Sequence, residues 1–384
     1  MKRLQTESGP YYLAVAGMIA LAGAVYLAGV SDAFATVYRQ GAALATSTAA
    51  AAASPAWPLA LDTADYNRRL LALAHIPLAS TTPDAARAAA TTTPRLLLAT
   101  SSASTSVAVA GKKWPHSTVY PEGGAILPFH RIVAYYGNFY SKQMGVLGEY
   151  PPDVVLAKLA STTAAWAAAD PATPTIPAIQ YIAVVAQGSA TKNGKWIARM
   201  PDDQVDKALA MANQIHGLLF LDVQVGQSNV ETEIPMLEKY LQMPNVELAI
   251  DPEFSMKDGS APGREIGTMN QDDVNWTAQY LAKLVRDNKL PPKVLVVHRF
   301  TYDMLRGAAL VKPLPEVEVV VDMDGWGGQA KKIGTYTNIV APEPIQFTGL
   351  KLFYHADLKP PSTGMLSMKQ VLSLTPAPIY IQYQ

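Results

Sequence analysis

From about residue 130 to the C-terminus, short apolar runs rich in Val, Ile, Leu and aromatic residues alternate with segments of helical pattern. Eight strand-like runs are separated in this way by helix-like runs. Such alternation is typical of βα units and a parallel sheet. A closed barrel of eight such units is typically about 250 residues long. The pattern therefore predicts one (β/α)8 barrel, the TIM barrel architecture of the α/β class, over residues 126–384.

The alternative for such a pattern is an open, doubly wound sheet. No G-x-G-x-x-G motif follows the first strand-like run, which disfavours the dinucleotide-binding form of that fold. The predicted strands cover residues 131–139, 176–187, 217–225, 246–254, 293–300, 317–323, 350–355 and 379–384. The predicted helices cover residues 154–169, 230–241, 270–288, 302–310, 330–340 and 368–374, with another that begins at residue 201.

The N-terminal residues 11–30 carry no charge. As a helix with a rise of about 1.5 Å per residue, this run just spans a hydrocarbon core of about 30 Å. Lys2 and Arg3 precede it, which favours a cytoplasmic N-terminus. A cleavable signal peptide is the alternative, because residues 33–35 (Ala-Phe-Ala) offer a cleavage site. Residues 1–35 are therefore predicted to be a signal anchor or a signal peptide. The barrel would lie at the cell surface, anchored by residues 11–30, or be secreted after cleavage.

Residues 36–125 are predicted to be a low-complexity linker. Ala, Thr, Ser and Pro dominate much of this stretch, so it offers few large apolar side chains to offset the entropy of ordering. The expected structure is a disordered tether. Tyr66–Ile76 interrupts it with an amphipathic helical pattern, which can pack on the barrel or on a partner, or form only transiently.

Composition excludes several kinds of function. Lys plus Arg number 31 and Asp plus Glu number 31, so no overall positive charge indicates a nucleic-acid partner. Cysteine is absent, which excludes a cysteine nucleophile, a thiolate metal site and a lipid-modified cysteine. We expect no cofactor, a membrane contact through the N-terminal helix, and no nucleic acid. The oligomeric state is left open.

In a (β/α)8 barrel the active site lies at the C-terminal ends of the strands. Side chains two residues apart on a strand point the same way, so acidic residues near several strand ends should converge on one cleft. Such crowding is unfavourable unless cations, hydrogen bonds or raised pKa values relieve it. The predicted catalytic residues are Asp222, Asp251, Glu253 and Asp324.

Paired carboxylates of this kind suit glycoside hydrolysis, which needs a carboxylic acid and a second carboxylate. Glu253 is the predicted general acid, Asp251 would tune its pKa or orient the substrate, and Asp222 or Asp324 would complete the pair. The expected partner is a carbohydrate, with aromatic rings stacking on sugar faces. The predicted substrate-binding residues are Tyr136, Asn138, Gln224, His298, Asp322, Trp326, His355 and Gln382.

Two other functions remain open from the residues alone. A non-catalytic glycan-binding or envelope-structural protein could use the same barrel. A metal-dependent hydrolase could use the carboxylates and histidines as ligands, although no H-x-H or H-E-x-x-H spacing is present and no metal site is assigned. The side chains suited to a metal are Asp222, Asp251, Glu253, Asp322, His298 and His355.

An ordered set of motifs in residues 130–384 resembles a family of uncharacterised exported proteins, often lipoproteins, found mainly in actinobacteria. The motifs are D-V-Q-V-G-Q-S at 222–228, L-A-I-D-P-E-F at 248–254, I-G-T at 266–268, D-V-N at 273–275, L-P-P-K at 290–293, V-H-R-F at 297–300, D-G-W-G at 324–327 with Lys331, and I-Q-Y-Q at 381–384.

The resemblance implies a glycosidase-like barrel, without implying an established activity. Family members have glutamine where Arg299 stands, which puts a role for this position in doubt. Many carry a lipobox cysteine that this chain lacks, which favours the helical anchor. The chain is more distantly similar to cell-wall muramidases and chitinase-like hydrolases, which also have D-x-E carboxylates on the fourth strand. That similarity is one of fold, and fold does not determine function.

Overall fold

The computed structural model describes residues 58–77, 114–115 and 119–384. The predicted signal anchor or signal peptide over residues 1–35, including the apolar run 11–30, lies outside the described residues, as does most of the predicted tether. Within the described ranges, no helix combines the length and apolar character needed to cross a membrane.

The eight long parallel strands form a closed barrel. Along the barrel the strands are hydrogen-bonded in chain order, and β1 pairs with both β2 and β11, which closes the sheet. This confirms the predicted (β/α)8 barrel. Its strands are β1 (Arg131–Gly137), β2 (Thr175–Ala186), β4 (Leu218–Val223), β5 (Val246–Ile250), β7 (Lys293–Arg299), β9 (Val317–Met323), β10 (Phe347–Leu352) and β11 (Tyr380–Tyr383). Three short strands lie outside the barrel ring: β3 (Ile197–Arg199), antiparallel to β2, and β6 (Met269–Asn270), paired with β8 (Leu305–Arg306).

The helices begin where the sequence supplies suitable residues. Pro152 opens the helix after β1, where its missing N–H is not needed. Asn270 and Asp273 form a reciprocal capping box before the helix that follows β6. In chain order the α-helices are α1 (Thr63–Leu73), α2 (Val146–Glu149), α3 (Pro152–Ala169), α4 (Asp202–Gln214), α5 (Val230–Glu233), α6 (Glu238–Leu241), α7 (Gln271–Asn288), α8 (Gln329–Thr335) and α9 (Met368–Leu372).

Two predicted helices differ from the structure. The helix predicted over residues 302–310 is absent: β8 and a 3₁₀ turn at Ala308–Leu310 replace it, because Gly307 between them adopts a left-handed conformation. The helix predicted over residues 230–241 is divided into α5, a 3₁₀ segment and α6. Pro235 lies in that segment and provides no N–H for a continuous α-helix.

Two predicted strands have different ends. The strand predicted over residues 246–254 stops at Ile250, since Asp251 caps a 3₁₀ turn at Pro252–Phe254 and Pro252 cannot donate to a strand ladder. The strand predicted over residues 350–355 is shifted three residues toward the N-terminus, to 347–352. His355 therefore lies beyond the strand.

Alternation along the strands separates two apolar layers. One set of strand side chains, among them Val133, Leu221 and Val297, packs outward in the cluster that includes helix residues such as Leu159. The other set, among them Phe220, fills the barrel interior in a second cluster. The apolar interior occupies the half of the barrel near the strand N-termini. The opposite half is thereby left to polar side chains.

The helix α1 covers the N-terminal end of the barrel. Tyr66, Leu70 and Leu73 are buried in the same cluster as the interior strand residues. The backbone of Leu73 accepts a hydrogen bond from Ala377 N at 2.8 Å, and Leu70 O accepts one from Trp114 Nε1 at 3.3 Å. The stretch 36–125, predicted to be a linker, thus contains a segment that packs on the barrel. This was one of the possibilities for Tyr66–Ile76.

We expect Leu70→Ala to lower the free energy of unfolding by about 2–5 kcal/mol, because it removes a buried side chain from the base of the barrel. Leu70 is 8% exposed. Chemical denaturation of the purified protein measures the change. Arg68→Ala, on the exposed face of the same helix, is the control and should change stability by no more than about 0.5 kcal/mol. Equal effects of the two substitutions would mean that α1 does not belong to the cooperative unit.

Candidate active site

A cleft of about 700 Å³ lies at the C-terminal ends of the barrel strands. This is where a (β/α)8 barrel places its reactive groups, and the volume is in the range of ligand sites. Its lining combines carboxyl groups, amides and aromatic rings. The polar and charged lining residues include Gln143, Gln187, Gln224, Asp251, Glu253, Asp324, Lys331, Lys351 and Gln384; the aromatic ones are Tyr136, Phe254, Phe300, Trp326 and Phe353.

Three carboxyl groups meet in the cleft. One oxygen from each of Asp251, Glu253 and Asp324 lies within 4.8 Å of the others. Asp251 and Glu253 come from the end of β5 and the 3₁₀ turn behind it, and Asp324 follows β9. These three groups are called the carboxyl triad below. Their convergence agrees with the predicted grouping of mouth carboxylates, although the turn rather than strand alternation brings Glu253 into place.

Asp251 is the most constrained member of the triad. Its Oδ1 accepts a hydrogen bond from Glu253 N at 3.1 Å, and its Oδ2 accepts one from Gln224 Nε2 at 3.4 Å. Burial raises the pKa of Asp251 well above its ordinary value; the His298 charge opposes this rise, and the charges of Glu253 and Asp222 add to it. The two hydrogen bonds of Asp251 orient its neighbours. The raised pKa favours the protonated form of its carboxyl group.

Glu253 is the most available member of the triad. Among the described residues, its carboxyl group makes no hydrogen bond or ion pair. Burial, and next the charge of Asp324, raise its pKa to about 7, while Lys351 and His298 partly oppose the rise. At neutral pH a large fraction of the Glu253 carboxyl groups is therefore protonated, and the proton is not donated in a hydrogen bond to another residue.

Asp324 lies between two basic side chains. Its Oδ1 is 3.0 Å from Lys351 Nζ, and its Oδ2 is 3.3 Å from His298 Nδ1. Lys351 is almost fully buried and its Nζ also lies 3.8 Å from the ring centroid of Tyr136. Both oxygens of Asp324 are therefore held by basic groups. The environments of Asp324 and Glu253 thus differ in kind.

A buried polar network supports the triad from within the barrel. His298 Nε2 is 3.0 Å from Asp222 Oδ2, and its Nδ1 lies between Asp322 Oδ2 at 3.2 Å and Asp324 Oδ2. Gln180 Nε2 donates to Asp222 at 2.6 Å, and Tyr380 donates to Gln180. Asp324 lines the cleft. The other five side chains of this network lie buried beneath the lining: Gln180, Asp222, His298, Asp322 and Tyr380.

The ring of His298 is positively charged in this setting. Burial on its own would lower the pKa of His298, but the charge of Asp324 and the hydrogen bond to Asp222 outweigh it, so the pKa lies well above its ordinary value. Burial raises the pKa of Asp322, against the opposing effect of His298. The imidazolium thus compensates carboxylates both within and beneath the triad.

The structure brings together only some of the predicted site residues. Asp222, Asp322, His298 and Gln382 lie beneath the cleft lining, where His298 and Asp322 contact protein groups rather than open space. Six predicted residues line the cleft: Tyr136, Gln224, Asp251, Glu253, Asp324 and Trp326.

Two predicted residues lie elsewhere. Asn138 is buried and donates to Ile182 O and Tyr181 Oη, which fixes the loop after β1. The His355 side chain is 73% exposed and pairs with Glu149 at 3.1 Å outside the cleft lining, because β10 ends before it. Arg299, beside His298 on β7, pairs with Glu343 at 2.9 Å and donates to backbone carbonyls in its own loop.

Among the cleft residues that sequence reasoning missed, Lys351 is the one that forms an ion pair with the carboxyl triad. The predicted seventh strand began at residue 350, so Lys351 was placed at the strand start rather than near its C-terminal end. A lysine flanked by Leu350 and Leu352 within a buried strand was the available signal, since buried lysines are rare unless paired.

A buried ion pair fastens the loop 324–328, which carries Trp326 and is called the Trp326 loop below. Lys332 Nζ lies 3.1 Å from Asp357 Oδ2 and donates to Gly325 O at 2.8 Å. Asp357 Oδ1 accepts from Gly327 N at 2.9 Å. The pair therefore holds the backbone on both sides of Trp326.

No sequence model of a known protein family matches the chain, and no curated protein matches it in sequence. Its function is therefore argued from the geometry of the cleft.

We expect Asp357→Asn to lower the free energy of unfolding by about 3–5 kcal/mol, because it leaves the buried Lys332 charge uncompensated while the amide oxygen can still accept from Gly327. Both side chains of the native pair are almost fully buried. The matched control is Asp287→Asn, which breaks the exposed pair with Lys283 and should cost less than about 1 kcal/mol. Urea denaturation compares the two variants, and a loss as small as the control would contradict the fastening role.

Proposed function

We propose that the chain is a glycoside-hydrolase-like enzyme that cleaves a polysaccharide by paired-carboxylate acid/base chemistry. The observation that carries the proposal is the contrast within the carboxyl triad. Glu253 has a pKa of about 7 and no bound partner among the described residues, whereas Asp324 lies against Lys351 and the His298 ring. Glycoside hydrolysis requires a carboxyl group that can donate a proton and a second carboxyl group beside it.

Glu253 is the general acid in this proposal. It donates its proton to the glycosidic oxygen as the bond to the anomeric carbon breaks. Asp251 holds the turn through its hydrogen bond to Glu253 N. The charge of Asp324 helps to keep the proton on Glu253, because two adjacent negative charges are unfavourable.

Asp324 is the second carboxylate, and it takes this role in preference to Asp222. Asp222 lies beneath the lining with its Oδ2 bound by Gln180 and His298. One oxygen of Asp324 lies within 4.8 Å of one of Glu253, which is compatible with the short carboxyl separation of roughly 5–5.5 Å in retaining enzymes. Asp324 then attacks the anomeric carbon, and water later releases the sugar with Glu253 accepting its proton.

The remaining lining suits a sugar polymer. Aromatic rings offer flat apolar surfaces for the C–H faces of pyranose rings, and glutamine amides offer donors and acceptors for hydroxyl groups. The same proposal includes a cell-surface or secreted location, a membrane contact through residues 11–30, and membership of the exported family that the motifs resemble. An envelope or extracellular polysaccharide is the corresponding substrate.

A metal-dependent hydrolase is the second candidate, favoured by the closeness of the triad oxygens. Asp251, Glu253 and Asp324 offer the oxygen ligands that Mg²⁺ or Ca²⁺ prefers. The ammonium group of Lys351 already lies at Asp324, which weakens that alternative. Activity that EDTA abolishes and Mg²⁺ or Ca²⁺ restores would favour the metal over the two-carboxylate reaction.

We expect Glu253→Gln to reduce kcat by at least about 10²-fold on a polysaccharide that the wild type hydrolyses, because the general acid is lost. Release of reducing ends from a panel of envelope and extracellular polysaccharides measures this. Glu265→Gln, which changes an exposed glutamate in the loop after Glu253, is the control and should leave kcat unchanged. Full activity of Glu253→Gln would refute the assignment. Glycan binding without hydrolysis by the wild type would indicate a non-catalytic binding protein.

The pH profile gives a separate test. Glu253 must be protonated to act as the acid, so kcat/KM should fall as the pH rises above about 7, the pKa that burial gives it. Since the Lys351 charge lowers that pKa, Lys351→Gln should move the alkaline limb to higher pH even where its activity is low. An alkaline limb that does not move in Lys351→Gln would mean that another group is the acid.

A further inference from the structure

Trp326 is an exposed aromatic side chain at the edge of the cleft. It is 54% exposed and belongs to the cleft lining. The Lys332–Asp357 ion pair fastens the backbone on both sides of it. A large aromatic side chain that is held in place yet left exposed beside a cleft offers a flat surface on which a ligand ring can stack.

Two lysines lie over the ring of Trp326. Lys331 Nζ is 4.8 Å from the ring centroid, and Lys359 Nζ is 5.8 Å from it. Gly327 permits this arrangement, because a side chain there would place a Cβ 2.9 Å from Lys331 Cδ. The Lys331 side chain therefore lies along the Trp326 loop and lines the cleft.

These two lysines have no acidic partner among the described residues. The nearby acids already have cationic partners, since Asp324 pairs with Lys351 and Asp357 with Lys332. Across residues 58–77, 114–115 and 119–384, no ion pair includes Lys331 or Lys359. Two positive charges thus remain uncompensated at the exposed ring.

Lys331 and Lys359 make this edge of the cleft positively charged. An anionic group of a ligand would therefore be attracted to these two lysines. A uronic acid residue fits both parts of the edge: its ring presents C–H groups to Trp326, and its carboxylate is available to a lysine.

We propose that Trp326, Lys331 and Lys359 form a subsite for an acidic sugar residue, so that the substrate is a uronic-acid-containing polysaccharide. This inference rests on the proposed function, whose substrate class it specifies. Trp326 supplies the stacking surface, and Lys331, which lines the cleft, supplies the main charge contact. The acidic residue binds beside the carboxyl triad rather than across it.

Binding of matched oligosaccharides tests the subsite without requiring turnover. The probes are tetramers of galacturonate, glucuronate and mannuronate, each with its fully methyl-esterified form, titrated calorimetrically into the full-length Glu253→Gln protein. At least one free acid should bind roughly tenfold more tightly than its ester, because methyl esterification removes the negative charge that Lys331 would meet. Lys331→Gln should abolish that preference, and Lys331→Arg should keep it. Trp326→Ala should weaken binding of the acid and its ester alike.

Lys312→Gln is the matched control, since Lys312 is exposed and lies in the segment before β9, near the other end of the barrel. It should leave the preference for the free acid unchanged. Equal binding of each acid and its ester, a preference that survives Lys331→Gln, or no binding of any of the six probes would overturn the subsite. Hydrolysis of a neutral polysaccharide alongside any of these results would leave the proposed function standing. Lys331-dependent binding of a free acid without hydrolysis by the wild type would support the subsite and refute the hydrolase.

Discussion

The polar half of the barrel depends on the charged ring of His298. Taking a carboxylate out of water costs several kcal/mol unless another group compensates it, and Asp222, Asp322 and Asp324 all point toward this one ring. Both ring nitrogens face carboxylate oxygens, so the imidazolium compensates charge on two sides. Its removal would leave these carboxyl groups without their shared basic partner, and Asp324 would keep only Lys351.

The barrel makes room for this network by specific packing. Gly349 on β10 lies so close to Asp322 that a Cβ would come within 2.6 Å of its Oδ1 and 2.9 Å of the Tyr380 ring. Tyr380 in turn donates to Gln180, which binds Asp222. A small residue on one strand thus permits the polar contacts of side chains on four others. The apolar half below, closed by α1, excludes water from the network and so strengthens its electrostatic interactions.

The sequence predicts the barrel well because strand periodicity is a local property. The eight runs lie where the barrel strands form, and the capping and proline residues mark several helix starts. The break after Ile250 and the loss of the helix at 302–310 depend on backbone geometry at Asp251 and Gly307 that periodicity does not report. Which mouth residues line the cleft was predictable only in part, because Asp222 and His298 point inward like Asp324 but lie at a different depth. Lys351 was missed because a three-residue shift in a strand end moves a side chain from the base of the barrel to its mouth.

The carboxyl groups of the cleft differ more in their neighbours than in their chemistry. Asp324 forms ion pairs with two basic side chains and Asp251 accepts hydrogen bonds, whereas the Glu253 carboxyl group does neither among the described residues and meets the Lys351 and His298 charges only at longer range. Proton affinity is set by such surroundings, so a reading from residue type alone could not assign their roles. The same reasoning applies at the cleft edge. Lys332 and Lys351 each form an ion pair with a buried acid. Lys331 and Lys359 have no such partner among the described residues, so their charges are available to a ligand. The ion pairs inside the barrel therefore determine which carboxyl group stays protonated. They also determine which lysines are free to contact a ligand.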